Sequence, residues 1–507
     1  MTFQQILQGA EVLAHSGNPS VTGVEYDSRR VKPGSVFVAM QGETSDGNEF
    51  VDRAIAAGAV AVVTDSATEQ PREGVAWAHV PHGRRALGKL SANFYKRPAE
   101  RLAVTGVTGT NGKSTTTFLT EAILTAAARK SVLVGTIEYH VAGKSLPAPH
   151  TTPESLELNQ MLAEGLANGA TEVVMEVSSH ALAQQRVYAL PFDVAVFTNL
   201  TRDHLDYHQT MEEYFAAKKI LFEGCGTEAP RAALINIDDE YGRELAPISK
   251  KGGSRVFTYG LTSGDFHAKS VEITSRGTRF DMATPRETLS IFSPLIGKVN
   301  VYNILAAAGA GFARGCNREA IVQGVAALTH VPGRFERVDC RQPFTVVVDY
   351  AHTDDALRNL TALAREFVSQ AGLKSRVITV FGCGGDRDRA KRPLMGDAAG
   401  RGSDFVILTS DNPRSEDPLA IMNDAKVGLQ RSGTKYAMEP DRRTAIALGV
   451  REAAPGDIVL LAGKGHEKVQ VSREGSVPFD DVSVAREVLA QAGYECQATK
   501  ASAAKKA

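Results

Sequence analysis

Residues 106–116 read GVTGTNGKSTT, between the apolar run LAVTGV and the helix-patterned TFLTEAILTAA. A strand, a glycine turn, a lysine, a hydroxyl and a helix, in that order, are the parts that hold a nucleotide phosphate. Backbone N–H groups of Gly109, Thr110, Asn111 and Gly112 can ring the phosphates. Lys113 can offset their charge, Ser114 can ligate magnesium, and Thr115 continues the helix start. The strict pattern GxxxxGK[ST] would put its first glycine at Val107, but Gly106 stands one place early. That departure points to a particular subfamily of phosphate loops.

Other chemistry-bearing residues also follow apolar runs. Glu176 closes EVVME, and His204 follows VAVFTNL. Lys218 comes fourteen residues later in EEYFAAKKILF, where Lys218 and Lys219, read alone, are charges on an amphipathic helix. In DNPRSED, the Asn-Pro turn of Asp411, Asn412 and Pro413 fixes the direction of Arg414, although a turn bearing an exposed arginine is common. FGCGGDR begins like a dinucleotide fingerprint, but Arg387 stands at the third glycine, which argues against a dehydrogenase.

The elements that position these residues follow from length and pattern. A chain of 507 residues, 43% hydrophobic and 23% charged, is too long for one core. Residues 1–98 mix short apolar runs with the helix pattern EFVDRAIAAGA, and the prolines and charges of FYKRPAERL mark a boundary. In residues 99–335, strands such as SVLVGTIEY alternate with helices such as SLELNQMLAEGLANG, which predicts a mainly parallel sheet. Residues 336–495 hold four buried-strand candidates, each running into a polar or glycine-containing loop, and residues 496–507 form a small, basic tail expected to fray. The fold class is α/β in three domains. Because parallel open sheets bind ligands beyond their strands' carboxyl ends, the four loops can face one site.

A formal charge of -1 gives no general basic surface for nucleic acid, and no long apolar run or signal sequence is present. A cytoplasmic protein with no membrane insertion is expected, and a monomer is the working assumption. The five cysteines (Cys225, Cys316, Cys340, Cys383, Cys496) lack CxxC spacing and are expected to be incidental thiols.

GVTGTNGKSTT resembles the ATP loop of the Mur ligases and their relatives, among them folylpolyglutamate synthetases, which join a carboxylate to an amine using ATP. The segment YDSRRVKPGSVFVAMQGETSDGNEF resembles the uridine-nucleotide module that folylpolyglutamate synthetases lack. The resemblance covers roughly residues 20–490. It implies a uridine-nucleotide-binding module, a central ATPase-like domain and a Rossmann-like C-terminal domain. It further implies an acyl-phosphate ligase that adds the third residue of the peptidoglycan stem peptide.

By the resemblance, Glu176, His204 and Ser114 are magnesium ligands, and Lys218 is carried as a carbamate that supplies another. Ser28, Glu43, Thr44 and Ser45 stand at the UDP group. Thr151, Thr152, Ser178, Gln184 and Arg186 hold the muramoyl-dipeptide, with Arg186 the partner of an anionic group. Asn48 stands where relatives often have histidine or arginine. Asn300 and Asn303 lie near the adenine, and Asp349 and His352 near the ATP ribose or phosphates. DNPR resembles the signature of enzymes that select meso-diaminopimelate, so Arg387, Asp411, Asn412, Pro413, Arg414, Gly463 and Glu467 are implied contacts of that amino acid, with Glu467 on its distal ammonium. Asp354 replaces a usual proline, read as loop variation. The partners implied are ATP, magnesium, UDP-N-acetylmuramoyl-dipeptide (UDP-MurNAc-dipeptide) and meso-diaminopimelate. The alternatives are a lysine-adding or other Mur ligase, a folylpolyglutamate synthetase, or a nucleotide-binding regulator without catalysis.

Overall fold

A computed structural model describes residues 1–43, 45–370 and 375–496. Three α/β units follow one another along the chain. The first carries a five-stranded sheet in the order Ala14–Ser16, Ala76–His79, Ala61–Thr64, Ser35–Ala39, Gly23–Glu25, parallel except for its first pairing. The expected helix EFVDRAIAAGA is shorter than its pattern: a 3-10 turn, Gly47–Phe50, leads into the helix Val51–Ala56.

The central unit is built on an eleven-stranded sheet. Its middle strands, from Ser131–Val134 across to Phe266–Thr274, pair in parallel, and antiparallel ribbons extend it at both edges. Strand Ala103–Thr108 lies between Glu172–Glu176 and Val194–Phe197. The phosphate loop, Glu176 and the loop holding His204 therefore leave the sheet side by side. The run SVLVGTIEY, expected as one strand, breaks after Val134 and resumes at Glu138. The cause is Gly135, where a Cβ would lie 2.6 Å from Glu176 Oε1. The chain turns there to let the carboxylate in.

The third unit has a six-stranded sheet. The four candidate strands occupy adjacent parallel positions as Thr345–Asp349, Ile458–Ala462, Val377–Phe381 and Phe405–Leu408. Their apolar side chains are buried on both faces of the sheet, as expected for helix-covered parallel strands. The loops after these strands consequently share one edge. Beneath them the fully buried Arg442 is paired with Asp481 at 2.6 Å and donates to Ala462 O at 3.1 Å, tying one of the four strand ends.

Two expectations change. Cys225, Cys316 and Cys383 are buried thiols, but Cys340 and Cys496 are joined by a disulfide. They are 156 residues apart, so no local spacing could announce the pair. Cys496 is thereby held rather than frayed, and the rest of the expected tail, 497–507, lies outside the described residues. No helix among the described residues is long and apolar enough to cross a membrane.

His140 supplies a stability test beside the phosphate-loop helix. Its Nδ1 lies 2.8 Å from Glu121 on that helix and its Nε2 3.0 Å from Glu138. Burial works against its charge, but the hydrogen bonds and charges of Glu121 and Glu138 outweigh it and raise its pKa to about 9. A histidine whose pKa is raised on folding stabilises fully below its unfolded value of 6.5, and the contribution is lost as pH rises towards 9. The His140→Gln variant should therefore be less stable by about 2–3 kcal/mol at pH 6, closing to near zero above pH 9.5, in urea titrations at both pH values.

Candidate active site

The phosphate loop starts from a backbone only glycine accepts. Gly109 has φ +146, and a Cβ there would meet Thr198 Oγ1 at 1.9 Å. The helix Lys113–Ala126 begins at Gly112 without a side-chain cap, so its first N–H groups are free for an anion. Lys113 Nζ donates to Gly109 O and Thr110 O, both at 2.9 Å. Burial lowers its pKa. Asn303 Oδ1 stands 2.4 Å from where a Gly112 Cβ would lie, and Asn303 Nδ2 donates to Asn300 Oδ1 at 3.1 Å. The structure thus brings Asn303, and through it Asn300, to the loop.

Lys218 is enclosed, not on the surface. Its Nζ donates to Gly109 O at 2.9 Å and lies 4.4 Å from the centre of the Tyr214 ring. Lys219 is the solvent-facing partner, pairing with Glu223 at 3.4 Å. Burial, reinforced by the charge of Lys113, holds the Lys218 ammonium well below its ordinary pKa. The amphipathic-helix reading of this lysine is corrected accordingly.

Glu176 accepts from Thr136 N at 2.8 Å and Thr136 Oγ1 at 3.0 Å. Thr136 Oγ1 also lies 3.0 Å from Thr151 Oγ1, and Thr152 Oγ1 donates to Glu176 O at 2.8 Å. Thr136 therefore holds both carboxylate oxygens, while Thr152 fixes the backbone that carries them. His204 has φ +54, and its Nε2 lies 3.5 Å from Asp203 Oδ2. Burial pushes the imidazole down to about 3, leaving a neutral ring with a lone pair to donate.

Groups from the third unit close on this centre. Asp203, buried, faces Lys391 Nζ at 3.4 Å and His352 Nε2 at 3.7 Å. Burial acts to raise the Asp203 carboxyl, but the His352 hydrogen bond and the neighbouring charges hold it well below the ordinary range. Arg334 donates to Ser114 Oγ at 3.1 Å and lies over the Tyr350 ring at 4.7 Å. Asn111 Nδ2 donates to Asp355 Oδ2 at 3.0 Å. Asp349, whose pKa burial raises, accepts from Phe335 N at 2.7 Å and so shapes the connector that carries Arg334. Asp354, expected as loop variation, instead opens the helix Asp354–Gln370 and pairs with Arg358 one turn along it.

Between the first and central units, Gln184 Nε2 donates to Glu43 Oε1 at 2.8 Å. Ser178 Oγ caps the helix Ser179–Ala183 by accepting from Ala181 N at 3.2 Å. Arg186 donates to Thr152 O at 3.1 Å and approaches Glu154 at 3.3 Å, so part of the fork expected for an anion already has protein partners. Ser28 is buried in the first unit, and Ser45 turns the loop by accepting from Gly42 N at 3.0 Å through its carbonyl. Thr44 lies outside the described residues. Asn48 is buried, donating to Asp46 at 2.7 Å and Asp65 at 3.1 Å, and so braces the loop.

At the far edge, Arg414 (φ +52) donates to Gly385 O at 2.7 Å, and Arg387 donates to Asp386 O at 2.9 Å. Both approach Gly384, where a Cβ would lie 3.0 Å from Arg414 NH1 and 3.7 Å from Arg387 Cγ. Asn412 Nδ2 donates to Glu467 Oε2 at 2.7 Å. Asp411 Oδ2 lies 3.4 Å from a Cβ at Gly463, which has φ +115, and Pro413 O lies 1.9 Å from one at Gly385. All seven residues implied for the amino acid thus come from neighbouring loops. The buried Arg392 clamps two of them, donating to Glu416 Oε1 at 2.6 Å and to Gly384 O at 3.2 Å.

Sequence reasoning missed Arg334, Thr136, Asp203 and Lys391. Arg334 follows a Pro-Gly pair at a domain border, where it reads as punctuation. Asp203 stands beside His204 in a motif already singled out, and its partners come from another unit.

Known families match in three consecutive stretches: the Mur ligase family, catalytic domain, at residues 20–95; the Mur ligase middle domain at 107–311; and the Mur ligase, glutamate ligase domain, at 333–465. The UDP-N-acetylmuramoyl-L-alanyl-D-glutamate--2,6-diaminopimelate ligase of Solibacter usitatus is 56% identical over 476 residues, 94% of each chain. The ligase of the same name from Geobacillus thermodenitrificans is 45% identical over 93% of this chain and 95% of its own. A solved structure of a ligase of that name is 33% identical, superposes with a TM-score of 0.68, and covers 97% of this chain and 99% of its own.

Proposed function

The chain belongs to the Mur ligase family, and from that premise we propose how its residues divide the work of adding meso-diaminopimelate to UDP-N-acetylmuramoyl-L-alanyl-D-glutamate, an ATP-dependent step of peptidoglycan precursor synthesis. The supporting observation is the convergence of Lys113, Lys218, Glu176 and Arg334 around one uncapped helix start, with the stretch after Arg387 reaching the same centre through Asp388–Arg202 and Lys391–Asp203.

The γ-phosphoryl group passes from ATP to the D-glutamate carboxylate, giving an acyl phosphate and ADP. Lys113, Arg334 and the first N–H groups of the helix counter the charge that spreads over the phosphoryl oxygens. The amine of diaminopimelate attacks the activated carbonyl, an amide forms, and inorganic phosphate leaves. Asn111–Asp355 and Asp203–Lys391 hold the third unit against the second and keep water from the acyl phosphate.

No three His, Cys, Asp or Glu side chains among the described residues form a metal cage. Magnesium nevertheless fits, because that ion is commonly held by one or two carboxylates together with substrate phosphates. Ser114, Glu176, His204 and a carbamylated Lys218 would hold it, and when bound it supplies positive charge to the phosphoryl oxygens.

We assign uridine-nucleotide binding to residues 1–98, ATP to 99–335 and the amino acid to 336–495. A monomer working in the cytoplasm, where nucleotide substrates are met, is part of the same proposal. The test is a panel: the nucleotide dipeptide and ATP offered with meso-diaminopimelate, lysine or ornithine, scored by product mass. The diaminopimelate tripeptide is expected to dominate. ATP consumption without that tripeptide would overturn the reading.

A further inference from the structure

Lys464 has no part in the chemistry assigned so far. Its side chain is fully buried, with Nζ 3.0 Å from Asn412 Oδ1, 3.1 Å from Glu467 Oε2 and 3.5 Å from Asp411 Oδ1. All three partners belong to the amino-acid pocket. Val471 N also donates to Asn412 Oδ1, at 3.0 Å, while Asn412 Nδ2 donates to Glu467 Oε2 at 2.7 Å. The orientation of the Asn412 amide is thereby settled, and Glu467 Oε2 accepts from two buried donors. Glu467 Oε1 has no protein partner among the described residues.

Both carboxylates, Glu467 and Asp411, lie within reach of the Lys464 ammonium, and the charges of Arg414 and Arg442 act on them as well. Of these cations Lys464 reaches the Glu467 carboxylate directly, through Oε2. Fixing Oε2 from below leaves Oε1 as the acceptor offered to the ligand.

We propose that Lys464 is a positioning residue for amine selection, holding Glu467 and Asn412 so that Glu467 Oε1 meets the distal ammonium of the incoming diamino acid. The proposal rests on the pocket reading given above. It concerns the distal amine alone, while the distal carboxylate is left to Arg414 and Arg387. A ligand lacking that amine leaves Glu467 Oε1 facing it without a partner and is rejected for that reason.

The test compares kcat/KM for meso-diaminopimelate with that for 2-aminopimelate, which lacks only the distal amine, and with that for lysine, which lacks the distal carboxylate. In Lys464→Met the preference over 2-aminopimelate should fall by about tenfold or more, while KM for ATP and the preference over lysine stay within about twofold. Lys464→Gln, which keeps a donor without the charge, should retain part of the lost preference, and it decides the matter if Lys464→Met does not melt cooperatively. A preference over 2-aminopimelate that survives in the substituted enzyme removes the proposal alone. So does an equal loss of both preferences, which a general loosening of the pocket would give. Wild-type enzyme that does not distinguish the two pimelates removes the pocket reading and the proposal with it.

Discussion

Lys218→Ala is expected to lower kcat by about 10²–10³-fold, the usual cost of removing one electrostatic contributor to a phosphoryl or acyl transition state. An enclosed lysine beside Lys113 is an expensive ammonium, and under the proposed carbamate its depressed pKa would supply the neutral amine to add carbon dioxide, forming an N–C bond and releasing a proton. The product is an anion with two oxygen donors where the unmodified side chain has none. Alanine at 218 leaves room for a small anion, so millimolar formate or acetate should restore part of the rate. Lys219→Ala, which changes only the solvent-facing neighbour, should stay within about twofold of wild type. Steady-state rates with and without added carboxylate give the readout, and a fully active Lys218→Ala enzyme removes the carbamate from the mechanism.

The second large effect is at Arg414. Arg414→Ala should reduce kcat/KM for meso-diaminopimelate by about 2 kcal/mol or more, roughly 30-fold, through loss of a charge-assisted paired contact. Lysine should be affected little, so the preference between the two amino acids contracts by a similar factor. The structure explains why one guanidinium can matter this much. Burial and the charge of Arg387 both disfavour its cation, so a ligand carboxylate placed between the two relieves an existing repulsion. The left-handed backbone at 414, with its N–H bonded to Val471 O at 3.0 Å, fixes where the fork starts. Competition assays with both amino acids present measure the change, and an unaltered preference would show that another residue reads the distal carboxylate.

Much of this architecture was legible because it is local. A glycine loop between a strand and a helix occupies a dozen residues, and four apolar runs ending in polar loops announce a parallel sheet with a shared rim. What the pattern of residues alone does not show depends on distant partners. Read by pattern alone, Lys218 looks like its half-buried neighbour Lys219 until the phosphate loop, whose Gly109 O its Nζ meets, is set beside it, and Arg334 looks like a boundary residue until Ser114, 220 positions earlier, is set beside it. The break in SVLVGTIEY has a similar origin, since it is imposed by a carboxylate arriving from the adjoining strand. Arg186 shows the reverse: its suitability for an anion was plain, but Glu154 and Thr152 O engage part of it.

The connector between the second and third units bends at Gly333 and Phe335, with φ +66 and +46, and the residue between them is Arg334. The connector is therefore tied to the phosphate-loop helix at this bend, through Ser114 Oγ. Under the proposed transfer, the phosphoryl charge passes beside a residue that belongs to the connector, so the strap joining the two units is itself part of the electrostatic surroundings of the reaction.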